Sequence, residues 1–373
     1  MAKTKGNLAD LEAEVIYNGL CCYCGTCGAF CKEYIAFENE LPKTKQKCYE
    51  ICGACYEFCP RTFFAPFQMD RELFGEVRTD NLLGYYQGEI RSARAADVTL
   101  RDRAQDGGVI SAVLLYLLQE GEIDAAVVTR TSEEDHWQPE PFVATTKDDV
   151  LAAAGSKYTQ CPAVLGVADA FEAGYQKIAL VGLPCHIEGI RKAQLSDAFQ
   201  VRAERVKFLI GLFCTETFDR ELLARTLKEL GTTFDAVAKF NIRRGRFIVT
   251  TKEGKELTMP IKKMRAFARE ACNYCYDFAS EFADISVGSI GSEDGWSTVI
   301  ARSDAGEDVL ERAQAAGFIE TKRSTPEQIA EVRKLAAFKK RENWKHISEK
   351  AEPVRIMNLL VEPELLEHFF CTE

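Results

Sequence analysis

The residues that could do chemistry here are cysteines, and their intervals say which chemistry. Cys21, Cys24, Cys27 and Cys31 follow C-x2-C-x2-C-x3-C, and Cys48, Cys52, Cys55 and Cys59 follow C-x3-C-x2-C-x3-C, ending in Pro60. The short gaps wrap three thiolates around one iron-sulfur cubane, and the fourth cysteine of each run points away to complete the other run's cluster. That pattern assigns one 4Fe-4S cluster to Cys21, Cys24, Cys27 and Cys59 and another to Cys48, Cys52, Cys55 and Cys31. A zinc module would pair two C-x2-C knuckles without a trailing Cys-Pro, so zinc is disfavoured. Cys22 is spare.

Four further cysteines sit where ligands belong in an α/β fold. Cys185 lies in GLPCH after the strand-like KIALVG, Cys214 ends VKFLIGLF, and Cys272 and Cys275 form a C-x2-C in EACNYCYDF. Ligand crevices open at the ends of parallel strands, and these four cysteines suit a third 4Fe-4S cluster. Cys161, Cys22 and Cys371 read as ordinary buried thiols, with Cys161 a substitute ligand. His186, next to Cys185, reads as a helix-start residue; His136, His346 and His368 have no metal spacing.

Four glycine-bearing turns accompany these cysteines: Gln105-Asp106-Gly107-Gly108, Gly155-Ser156-Lys157-Tyr158, Gly182-Leu183-Pro184-Cys185 and Gly291-Ser292-Glu293-Asp294-Gly295-Trp296-Ser297. Each can turn backbone N–H groups toward phosphate. None is a dinucleotide fingerprint or a phosphate loop. Beside a cluster, the set suggests a flavin that converts two-electron into one-electron chemistry. Lys157 and the Gly107-Gly108 amides are candidates for the flavin's ring carbonyl or phosphates.

The elements that must position these groups follow from periodicity. LADLEAEVIYNGL predicts a short amphipathic helix ahead of the ladders. After Arg61, residues 62–95 are rich in Phe and Tyr with little periodicity, and read as an aromatic connector lying on another domain. QDGG precedes VISAVLLYLLQEG, an apolar helix with an acidic cap, ended by Gly121. Strands and helices then alternate through IDAAVVTRT, DDVLAAAG, VLGVADAFEAG, KIALVG, HIEGIRKAQL, VKFLIGLF and RELLARTLKELG, which indicates a largely parallel sheet. From about residue 236, KFNIRRGRFIVTTKEGKELTMPI alternates with turns at Arg244-Gly245 and Glu253-Gly254, an antiparallel meander. ADISVGSIG and STVIARS are two more strands, and AGEDVLERAQAAG, FIETKR and TPEQIAEVRKLAAFKKRENWKHI give helix, strand, helix. The tail EPVRIMNLLVEPELLEHFFCTE has Leu and Phe to bury.

These readings give a chain of α+β and α/β class. An N-terminal dicluster ferredoxin-like module covers 1–61, the connector 62–95, and an α/β flavin-binding domain with a mixed sheet and antiparallel meander 96–305. A C-terminal helical segment and tail cover 306–373. With 373 residues, 46% of them hydrophobic, the chain can bury a sizeable core. Its net charge of -10 disfavours nucleic acid or an anionic membrane as partner. The absence of a long apolar run predicts no spanning helix, and the N-terminus has no export signal. Fifteen cysteines without such a signal suit a reducing cytoplasm.

QDGGVISAVLLYLL, IDAAVV, AAGSKYTQCP, ALVGLPCHIEGIRK, IGLFCTETF, CNYCYDF and ADISVGSIGSEDGWSTVIARS together resemble the family of beta subunits of coenzyme F420-reducing hydrogenases and dehydrogenases, from about Gly84 onward. The resemblance implies an oxidoreductase of anaerobic, methanogenic archaea that binds FAD and passes a hydride between F420 and the flavin. It also implies a 4Fe-4S cluster on Cys185, Cys214, Cys272 and Cys275, and FAD against the four turns, with Gln105, Asp106, Gly107, Gly108, Gly155, Ser156, Lys157, Tyr158, Gly182, Pro184, Ser292, Gly295, Trp296 and Ser297 as its contacts. The N-terminal ladders are similar to those of the input subunit of the reduced-coenzyme dehydrogenase, of formate dehydrogenase beta subunits and of the F420-dependent sulfite reductase. The anionic coenzyme needs a basic dock, for which Arg243, Arg244, Arg246, Lys262, Lys263 and Arg265 form the densest cluster; the same residues also suit a solvated hairpin surface. The family further includes reductases of chlorophyll side chains, and a relay subunit without hydride chemistry is the third reading. With no second catalytic domain, the resemblance implies an input or output subunit that serves another redox subunit: a dehydrogenase, a hydrogenase or a component of a membrane complex.

Overall fold

The computed structural model of the chain describes residues 6–48, 52–135, 137–197 and 200–351. His136, His368, Cys371 and the predicted Leu- and Phe-rich tail lie outside the described residues. In chain order the strands are β1 (Ile35–Glu38), β2 (Leu41–Thr44), β3 (Arg91–Ala95), β4 (Ala125–Thr131), β5 (Pro139–Ala144), β6 (Ile178–Gly182) and β7 (Val206–Leu212). They continue with β8 (Val237–Arg243), β9 (Arg246–Thr251), β10 (Glu256–Pro260), β11 (Ile285–Gly288), β12 (Ser297–Ala301) and β13 (Ile319–Arg323).

Eight strands make one mixed sheet in the order β13-β3-β12-β11-β7-β6-β4-β5. The pairings β11-β7, β7-β6 and β6-β4 are parallel, and those outside them are antiparallel. A parallel centre has to be covered on both faces, and alternate side chains divide accordingly. Ala126 and Val128 of β4, Ala179 of β6 and Phe208 and Ile210 of β7 join one core with the helices Val109–Gln119 and Asp304–Ala315. Val127, Leu180 and Leu209 belong to the opposite core, which is roofed by the helices Leu165–Glu172 and Pro184–Gln194. That second core also contains Leu11, Phe30 and Phe58 from the cysteine-rich N-terminal part, with Phe64 just after it. Each such side chain, fully buried, contributes roughly 1.5–3 kcal/mol. The ladders therefore pack directly onto one face of the sheet.

The predicted meander is the antiparallel sheet β10-β9-β8, with its own core around Phe218, Phe240 and Phe247. The stretch read as an aromatic connector holds the helix Pro66–Phe74 and the strand β3, which lies between β13 and β12. β3 is RSARA, with Ser92 and Ala93 fully buried, and small residues give no hydrophobic alternation. β5 escaped notice for a different reason. It carries Pro139 and Pro141, residues that an edge strand tolerates, and it is the edge of the sheet. Within the ladder segment β1 and β2 form a hairpin whose turn, Asn39-Glu40, has φ of 49° and 59°. One prediction is corrected: the helix Val109–Gln119 has no acidic cap, because Gly108 at φ 72° occupies the cap position and no side chain bonds there.

Candidate functional site

All described cysteines are free thiols. Cys21, Cys24, Cys27 and Cys59 line one small cavity together with Cys22, Leu11, Val15, Ile16, Gly25, Phe37 and Pro42. Its only potential ligand atoms from side chains are sulfurs in an apolar wall, a donor set suited to a soft, electron-poor metal core. The local fold accounts for this convergence: Gly25, at φ 92°, opens the helix Thr26–Phe30, and an added Cβ there would lie 2.7 Å from the Pro162 carbonyl oxygen. Burial pushes the thiol of Cys21 up to about 11 and that of Cys59 up to about 12, and in both Cys22 adds like-charge repulsion. Thiolates crowded this way need a cation to be ionised together.

Cys31 is the neighbour of Cys48 and Cys52, and Cys55 of Cys31, Cys52 and Cys48. Burial, with repulsion from Cys31 and Cys52, pushes Cys55 up to about 12. In this second group Cys52 is exposed and Cys55 buried, whereas no cysteine of the first group is exposed. The ladders thus run from an inner group under the sheet to an outer group at the surface. Among the described residues no three His, Cys, Asp or Glu side chains close tightly enough to grip a single metal ion.

Of the four cysteines predicted for a third cluster, the structure gathers three. Cys214, Cys272 and Cys275 surround Lys339, whose Nζ donates to the carbonyls of Cys214 (2.7 Å) and Asp277 (2.6 Å). Asn343, on the same helix Pro326–Ala351, donates to the carbonyls of Cys272 (2.8 Å) and Cys275 (2.7 Å). The Thr217 backbone N–H donates to Cys272 Sγ at 3.5 Å. Cys185, at the first turn of Pro184–Gln194, instead meets Cys22, with Cys24 close by. His186 is a buried helix-start residue: its Nδ1 accepts from the Leu183 N–H at 3.0 Å, and burial lowers its pKa to about 4. His346 packs edge-on to Tyr274, and Cys161 is buried with Thr129 donating toward its sulfur at 3.7 Å.

Three of the four turns converge. The Gln105 carboxamide joins two segments, donating to the Phe240 carbonyl (3.2 Å) and accepting from the Ser156 N–H (3.2 Å). Gly107 donates its N–H to Ser297 Oγ (3.1 Å), and its carbonyl accepts from the Ala95 N–H (2.7 Å). An added Cβ at Gly107 would stand 2.6 Å from the Ala93 carbonyl oxygen, so only glycine fits. Ser292 bonds to both Ser92 and Thr298 at 2.8 Å. Trp296 is flanked by Arg94 and Lys322, 4.5 and 4.3 Å from the ring centre. Burial raises the pKa of Asp106, with Lys239 and Arg243 opposing part of that rise. Lys157 donates to the carbonyls of Ala153 (2.6 Å) and Gly155 (2.9 Å), and burial lowers its pKa to about 8. Tyr158, at φ 63°, packs into the Phe218 and Phe247 core. The fourth turn, with Gly182 and Pro184, lies on the cysteine side of the sheet, where Gly182 faces His186. Lys239, Lys157 and Arg243 place positive charge beside these turns, as a polyanionic cofactor such as a flavin nucleotide would need, while the Gly107 and Ser156 N–H groups and the Lys157 ammonium are bonded within the chain.

The basic cluster divides. Arg243 pairs with Asp294 of the Trp296 turn at 2.7 Å, Arg244 (φ 49°) forms the hairpin tip, and Arg246 bonds to Thr258. Lys262 is exposed, while Lys263 and Arg265 pair with Glu229 and Glu216, each at 3.3 Å. Arg243 therefore faces the turns, and Lys263 and Arg265 face the segment after β7. Sequence reasoning passed over Arg61, Glu188, Lys192 and Lys339. The signal available was charge inside apolar periodicity, Glu188 and Lys192 in HIEGIRKAQL and Arg61 directly after Cys59-Pro60.

A family model described as coenzyme F420 hydrogenase/dehydrogenase, beta subunit N-terminus, matches residues 90–166, and its C-terminal counterpart matches residues 175–341. The chain is 41% identical over 277 residues to a coenzyme F420 hydrogenase subunit beta of Methanothermobacter thermautotrophicus, covering 73% of this chain and 97% of that protein. It is 32% identical to an F420H2 dehydrogenase subunit of Methanosarcina mazei, covering 90% of this chain and 94% of that one. A chain of the F420-reducing NiFe hydrogenase complex from Methanosarcina barkeri superposes with a TM-score of 0.70 at 35% identity, covering 75% of this chain and 98% of that chain. Among the described residues no helix is long and apolar enough to cross a membrane.

Proposed function

Because the chain belongs to the family of coenzyme F420 hydrogenase/dehydrogenase beta subunits, we propose that it is the F420-handling flavin and iron-sulfur oxidoreductase subunit of a larger cytoplasmic or membrane-peripheral redox assembly. The bound groups would supply hydride exchange between F420 and FAD and single-electron transfer through three 4Fe-4S clusters to or from another redox subunit.

The chain's own part is to hold these groups in order. Cys31, Cys48, Cys52 and Cys55 would hold the outer cluster, Cys21, Cys24, Cys27 and Cys59 the inner one, and Cys185, Cys214, Cys272 and Cys275 the third. The turns at Gly107, Ser156 and Ser292–Ser297 would orient FAD, and Arg243, with Arg244 and Arg246, would draw in the anionic coenzyme. Fixed orientation of donor and acceptor, rather than an acid or base, would be the protein's main catalytic contribution.

The observation that carries this reading is the meeting of Cys22 and Cys185, which joins the ladder cysteines to the strand-end cysteines. A relay subunit without hydride chemistry is the second reading, and the internal bonding of the Gly107 N–H and the Lys157 ammonium favours it. Anaerobic purification separates the two. The proposal expects about twelve iron atoms per chain, bound FAD, and bleaching of F420 with a viologen dye. Iron without flavin or bleaching would leave only the relay.

A further inference from the structure

Arg61 is the first residue after Cys59-Pro60 and is only 2% exposed. Its backbone N–H donates to Cys59 Sγ at 3.4 Å, which ties it to the inner ladder group. Its guanidinium reaches the other way, to within 3.6 Å of Glu188 Oε2, and Glu188 is 1% exposed. Burying a guanidinium is costly unless its N–H groups are satisfied. Yet Arg61 Nε has no hydrogen-bond acceptor, and neither oxygen of Glu188 has a donor, among the described residues. The groups whose negative charge would favour the guanidinium are Cys275, Cys22, Glu188 and Cys185, which come from both cysteine sets. An unsatisfied buried donor amid sulfurs calls for a sulfur acceptor.

We propose that Arg61 sets the reduction potentials of the inner ladder cluster and of the third cluster, as a fixed positive charge and N–H donor lying between them, with Glu188 beside it. The proposal rests on the cluster assignment above. Reduction adds a negative charge to a cluster, so a nearby cation and hydrogen bonds to sulfur favour the reduced form. Cys59, to which Arg61 is tied, belongs to the inner group, and the outer group of Cys31, Cys48, Cys52 and Cys55 serves as the internal control.

The test is a redox titration of the intact chain followed by electron paramagnetic resonance, on wild type, Arg61→Gln and Arg61→Lys. Arg61→Gln should lower the reduced-to-oxidised ratio of the inner and third clusters about tenfold at fixed ambient potential, equivalent to about 59 mV for a one-electron couple. The outer cluster should not move, and Arg61→Lys, which keeps the charge, should recover most of the shift. Full iron content with no shift, or an equal shift of all three clusters, overturns the proposal. If Arg61→Gln does not accumulate, wild type labelled with 15N-arginine decides. A hyperfine coupling from an arginine nitrogen to a reduced cluster, lost in Arg61→Lys, supports it, and no such coupling overturns it. Wild type without iron would instead overturn the cluster assignment itself.

Discussion

Cys22 and Cys185 meet side chain to side chain, one from the first ladder and the other from the turn after β6. Only one of them has a place among the twelve proposed ligands. Cys185→Ser should therefore lower the iron content by about four atoms per chain, while Cys22→Ser should leave it unchanged. Iron assay on anaerobically purified variants checks this. The opposite result would make Cys22 the ligand.

Lys339 is buried and bonded to the Cys214 and Asp277 carbonyls. A hydrogen bond from a charged donor contributes about 1.5–3 kcal/mol. Lys339→Met should destabilise the chain by about 3 kcal/mol in urea unfolding and release the third cluster while both ladder clusters stay. Spectra showing loss of all three would refute this local role.

Arg243 is paired with Asp294 beside the Trp296 turn. Replacing Arg243 and Arg244 together by Ala should raise the KM for F420 about fivefold at low ionic strength, with little change in kcat. The effect should shrink as salt screens the exposed charges. Steady-state kinetics at two salt concentrations reads the difference, and a KM unchanged in both would remove these arginines from the dock.

Lys157 has a pKa lowered from 10.5 to about 8 by burial. Between those values the unfolded chain binds more protons than the folded one, so stability rises with pH across that window. The stabilisation is fully present above the unfolded value and is lost as pH falls through 8. The span amounts to about 3 kcal/mol at most. Lys157→Met should flatten this part of the stability profile, measured by denaturant unfolding between pH 7.5 and 10.5. An unaltered slope would assign the pH dependence elsewhere.

The parts of the fold visible in the sequence were those whose apolar residues repeat at a clear period. β4, β6 and β7 are runs of Val, Ile, Leu and Ala because a parallel centre is buried on both faces. β3 stayed hidden because its buried residues Ser92, Ala93 and Ala95 are small and carry no such signal. Ligand intervals were likewise legible, since cysteine spacing is local. The meeting of Cys185 with Cys22 was not, because it depends on how the N-terminal segment docks, and that is decided by a core built from residues far apart in the chain. Arg61 and Lys339 were passed over for the same reason: charged residues are expected at the surface, and only tertiary packing reveals a buried one.

Phe30 and Phe58 belong to the same core as Leu180 and Ile187. Among the described residues, this packs the ladder segment onto the sheet and leaves it no room to swing. If the ladders hold the clusters proposed above, electron delivery along them would not be timed by a swinging arm, and thickening the solvent should not slow transfer inside the chain. Any encounter that has to wait for diffusion would then take place at the outer rim, where Cys52 meets the solvent.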